Sequence, residues 1–72
     1  MSARSEIVLK IQEVYGDEMP NVYNGTDYDG SIQATGWWYR PFGRTPFYLG
    51  KSKQAALETL GQVATERADT RP

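Results

Sequence analysis

The stretch SIQATGWWYRPFGRTPFYLG, residues 31–50, decides how this chain folds. From Ser31 to Arg40 the even positions hold Ile32, Ala34, Gly36 and Trp38. The odd positions Ser31, Gln33 and Thr35 are polar, until Trp37 and Tyr39 break the pattern. A period of two marks a strand with one buried face. Pro41-Phe42-Gly43-Arg44-Thr45-Pro46 reads as a reverse connection, with Gly43 supplying the turn, and Phe47-Tyr48-Leu49 as the returning strand. If Pro41 faces Pro46, then Arg40 opposes Phe47, Tyr39 opposes Tyr48 and Trp38 opposes Leu49. Opposite residues in an antiparallel pair share a face. This register gathers Trp38, Phe47 and Leu49 on a core side and Trp37, Tyr39 and Tyr48 on the other. It assumes a regular strand at Gly36; a bulge there exchanges the roles of Trp37 and Trp38.

Helices are expected on either side of this hairpin. In residues 5–15, Ile7, Val8, Ile11, Val14 and Tyr15 recur at helical spacing, and Glu6 and Lys10 form an i,i+4 pair on the opposite face. Ser2 or Ser5 suits the N-cap, and Gly16 followed by Pro20 ends the helix. Residues 52–64 repeat the pattern, with Ser52 as N-cap and Ala56, Leu57, Leu60, Val63 and Ala64 as the stripe. Between Gly16 and Ser31 the turn dipeptides Asn24-Gly25 and Asp29-Gly30 allow either a short edge strand near 21–24 or a structured loop. The expectation is one α+β domain spanning 1–72: a small antiparallel sheet of two or three strands with both helices on one face, and a disordered tail over 65–72.

Composition removes several chemistries. The 72 residues contain no cysteine and no histidine, which excludes disulfides, thiolate zinc sites, thiol catalysis and imidazole bases. Asp27-Tyr28-Asp29-Gly30 is like part of a calcium loop, but with Gly30 as the sixth residue the bidentate glutamate of the twelfth position would be Gly36. No metal, cofactor or catalytic group is therefore expected, and the chain reads as a non-enzyme. Asn24-Gly25-Thr26 is read as a turn rather than a glycosylation sequon, because no secretory leader or membrane span accompanies it. That also makes cytoplasmic location the default.

Net charge is −1 but unevenly placed. Residues 1–30 carry Arg4 and Lys10 against six carboxylates, net −4; residues 31–72 carry six cations against three carboxylates, net +3. Two surfaces follow as candidates. Trp37, Tyr39 and Tyr48 would form an exposed aromatic face of the kind that dominates protein interfaces. Arg40, Arg44, Lys51 and Lys53 form a cationic group, with the two lysines beside the start of the second helix, where an anion is favoured.

Leu49-Gly50-Lys51-Ser52-Lys53-Gln54-Ala55-Ala56, with Pro20-x-x-Tyr23, resembles the strand-to-helix junction and first strand of double-stranded-RNA-binding domains. That resemblance implies an α-β-β-β-α order and RNA contact at the second helix start, where only Lys53 matches the family's lysines. Gly36-Trp37-Trp38-Tyr39 with Leu49-Gly50 and Ala55-Ala56 is also similar to the amino-terminal arm-binding domains of phage integrases, which implies a sheet entering a DNA groove. The sequence as a whole points first to a protein-binding module using Trp37, Tyr39 and Tyr48 with Arg40 and Arg44 at the rim. Its alternative is nucleic-acid binding, the same rings stacking bases and Arg44, Lys51 and Lys53 meeting phosphates. Homodimerisation would bury surface that so small a monomer exposes.

Overall fold

The computed structural model describes residues 2–69, with the side chain of Asp69 left aside. In chain order the elements are α1 (Ala3–Tyr15), β1 (Asn21–Asp29), β2 (Ile32–Arg40), β3 (Phe47–Gly50) and α2 (Lys53–Asp69). The strands form one antiparallel sheet in the order β1-β2-β3. The α+β class is as the sequence predicts.

Local signals set the element ends. The Ser2 hydroxyl accepts from the Ser5 amide at 3.1 Å, and Gly16, at φ 72°, closes α1 by donating to the Gln12 carbonyl. The Ser52 hydroxyl accepts from the Ala55 amide at 3.2 Å and starts α2. The turn dipeptides divide their roles. Asp29 leads into a two-residue hairpin turn, Gly30-Ser31, with Gly30 at φ 66°, while Asn24-Gly25 lies inside β1. The uncertain segment is therefore a nine-residue strand. α2 continues to Asp69, so 65–69 of the expected disordered tail are helical, and 70–72 lie outside the described residues.

The core corrects the expected faces. Ile7 and Ile11 of α1, Ala56 and Leu60 of α2, Val22 of β1, Tyr39 of β2 and Leu49 of β3 form one buried cluster, with Trp37 and Phe47 packed against it. The helices therefore cover the odd face of β2. The apolar even positions misled because Ile32, 70% exposed, and Ala34 lie on a part of the β1–β2 hairpin beyond the reach of β3. The β2–β3 register also differs from expectation: Tyr39 pairs with Phe47, Trp38 with Tyr48 and Trp37 with Gly50. The irregularity is not at Gly36, which pairs regularly with Gly25; the extra residue is Leu49 in β3. Alternation from Phe47 through Tyr48 places Leu49 on the core face, and the bulge sets Leu49 and Gly50 together opposite Trp37.

Trp38 is fully buried without joining that cluster. On the helix-free face its ring sits 5.0 Å from that of Tyr48, and its Nε1 donates to the Gly25 carbonyl at 3.1 Å. Tyr23, opposite Trp38, donates its hydroxyl to Asp27.

Candidate functional site

The structure does not assemble the expected aromatic trio. Tyr39 is 3% exposed on the helix side, and its hydroxyl donates to Asp17 at 2.8 Å. Trp37 is partly buried against the same core. Tyr48 lies on the opposite face against Trp38, its hydroxyl donating to the Thr35 carbonyl at 3.0 Å. Trp37 and Tyr39 are enclosed because the helices cover the odd face of β2, and the register, shifted by one residue, puts Tyr48 on the opposite face beside Trp38.

The cationic group is likewise divided. Arg40 and Arg44 are exposed at the β2–β3 connection, before β3, whereas Lys51 and Lys53 follow it. The strand between spans roughly 13 Å. Lys53 donates to Glu6 of α1 at 2.9 Å and ties the helices together across the surface, while Lys51 is exposed. Only the two arginines share a surface.

That surface is the β2–β3 end of the molecule. The Arg44 amide donates to the Pro41 carbonyl at 3.1 Å, and Gly43, at φ 71°, completes the turn. The tight turn flanked by Pro41 and Pro46 holds Phe42 outward, 103% exposed. Met19, in the α1–β1 connection, is 90% exposed beside it. Pro41 is a ridge between two clefts. One, about 380 Å³, is bordered by Asp17, Met19, Arg40 and Phe42. The other, about 490 Å³, lies toward the helices, between the Tyr15, Tyr39 and Phe47 rings and the arginines Arg44 and Arg67. The Arg67 guanidinium sits 5.1 Å from the centre of the Tyr15 ring, a cation–π contact.

The phenols nearby are not acids at neutral pH. Burial, then the hydrogen bond to Asp17, pushes Tyr39 up to about 12. Burial raises Tyr15, and the positive charge of Arg67 partly opposes this. On the far face, burial and the Asp27 hydrogen bond push Tyr23 up to about 12. The same bond, with one from the Tyr28 amide, lowers Asp27. Among the described residues no group of three or more His, Cys, Asp or Glu could hold a metal ion, and no helix is long and apolar enough to cross a membrane.

Phe42 and Met19 were missed by sequence reasoning. The available signal was a large apolar residue set in a Pro-Gly turn, where no core can reach it. Comparison with protein-family models, curated proteins and solved structures returns no match.

Proposed function

We propose that this protein is a non-catalytic interaction module that binds another protein through its β2–β3 end, with Phe42 and Met19 as apolar anchors and Arg40 and Arg44 at the rim. The observation that carries the reading is the full exposure of Phe42 on a proline-flanked turn. A phenylalanine held outward contributes nothing to the core, and the constrained backbone of its turn lowers the entropic cost of docking. Aromatic residues, methionine and arginine are the types enriched in interfaces. Arginine at the rim steers and orients the encounter. Nucleic-acid binding has less support, since Tyr39 is enclosed and the cations that would track a phosphate chain are split between two ends.

Selection from a displayed library of random peptides tests this reading. Wild-type protein is expected to enrich binders that Phe42→Ser no longer retains. Binders that ignore Phe42→Ser, or none at all, would sink it, as would a short oligothymidylate competing every peptide away. Sedimentation of the free protein shows whether the same end also joins two copies: a dimer dissociated by Phe42→Ser would make the partner a second chain.

A further inference from the structure

The chemistry of the larger cleft narrows what the partner must supply, an inference that rests on the β2–β3 end being the recognition surface. Its volume, about 490 Å³, falls within the range of ligand-binding clefts. The walls are aromatic, with Tyr15 on one side and Phe47 on the other, and none of the lining residues is a carboxylate. Asp17 lines the other cleft and already accepts from the Tyr39 hydroxyl. Arg67 is held over the Tyr15 ring and contributes positive field. Arg44 stands exposed at the mouth, and among the described residues it makes no ion pair. Nor does the Tyr15 hydroxyl, half-buried in the wall, make a hydrogen bond with any described residue. An arginine fork, a phenolic donor and two apolar walls form a receptor for one anionic group attached to an apolar one.

We propose that this cleft accepts the carboxylate of a glutamate or aspartate, together with an adjacent aromatic side chain, from an extended acidic segment of the partner protein. The carboxylate meets Arg44 and the Tyr15 hydroxyl, and the ring lies on Phe47 and Pro41. A carboxylate fits better than a nucleic-acid backbone. A phosphate chain needs successive cations along its path, and the next ones, Lys51 and Lys53, lie beyond the far end of β3, with Lys53 paired to Glu6.

The test is a nuclear magnetic resonance titration of the whole chain with acetyl-Glu-Glu-Phe-Glu-Glu-amide, followed through Tyr15, Phe47 and the Arg44 Nε–H. Expected are shifts at all three, with affinity at least about tenfold weaker for the glutamine analogue of the peptide and for Arg44→Ala. Arg44 is exposed, so its replacement leaves the fold intact, and Arg44→Lys restores part of the affinity by returning charge without the planar fork. Equal affinity for the glutamine peptide, indifference to Arg44→Ala, or tighter binding of a short oligothymidylate at the same residues overturns the proposal. If the acidic peptide fails while the displayed library still yields Phe42-dependent binders, only this assignment of chemistry falls. If the library also yields none, the recognition surface itself is elsewhere.

Discussion

Gly36 shows how one backbone position can govern the fold. At φ 152° it occupies a conformation that L side chains rarely adopt, and a Cβ there would lie 2.3 Å from the Gly50 carbonyl oxygen. The clash is with backbone, so no rotamer relieves it. Gly36→Ala is expected to cost about 3 kcal/mol or more, most of the stability of a domain this small. Gly25, its partner across the ribbon, has no atom within 4 Å of its would-be Cβ and no positive φ. Gly25→Ala should cost under about 1 kcal/mol. Urea denaturation of both variants checks the contrast, and equal losses would contradict it.

The buried phenols give a second expectation at this scale. Tyr39 and Tyr23 ionise near 12 in the folded protein and near 10.0 when unfolded. A raised folded pKa means that their contribution is complete below about pH 10 and is lost as pH rises from about 10 to 12. The urea midpoint should fall over that window, and fall less in Tyr39→Phe. A midpoint that stays constant to about pH 12 would show that neither hydroxyl is enclosed.

Among the elements, β3 is the one whose placement the sequence concealed. Helix periodicity, caps and the β2–β3 connection are legible because each is a local signal: Ile7 and Ile11, Ser52, Gly43. The β1–β2 turn is not, since Asn24-Gly25 carries the same turn signal as Asp29-Gly30 yet lies inside β1. Nor is the face of β2, since parity depends on which residues the helices reach, and Ile32 and Ala34 lie on the other face, beyond the reach of β3. The Leu49 bulge has no local signature either. It is stabilised from outside the sheet, by the Thr59 hydroxyl of α2, which donates to the Leu49 carbonyl at 2.7 Å and to the Ala55 carbonyl at 3.0 Å. Thr59→Val keeps the shape and removes the donor, leaving a partly buried carbonyl unpaired. A loss of about 1 kcal/mol is expected, with faster amide exchange over residues 47–50 than in wild type. No change at either readout would mean that the bulge is held by packing alone.

Across the whole molecule, the proposed recognition residues lie apart from those that hold the fold together. The odd face of β2 and the two helices form the core, Trp38 is buried on the other face against Tyr48, and Phe42, Met19, Arg40 and Arg44 belong to neither. This separation explains why the candidate site was only half legible. Arg40 and Arg44 were identified as exposed cations near a turn. The aromatics chosen to accompany them were those that the core consumes, and Phe42, lying between the two arginines, was treated as part of a connection. A residue in a turn has no periodicity to betray its facing; only the assembled fold shows that nothing covers it.

That separation is tested most directly by Phe42→Ser, measured for stability and for binding in the same preparation. Thermal unfolding should change by no more than about 0.5 kcal/mol, as for a surface substitution. Affinity for a peptide selected on the wild-type protein should fall at least about tenfold. Loss of the fold would mean that Phe42 belongs to the core, and undiminished affinity would place recognition on another surface.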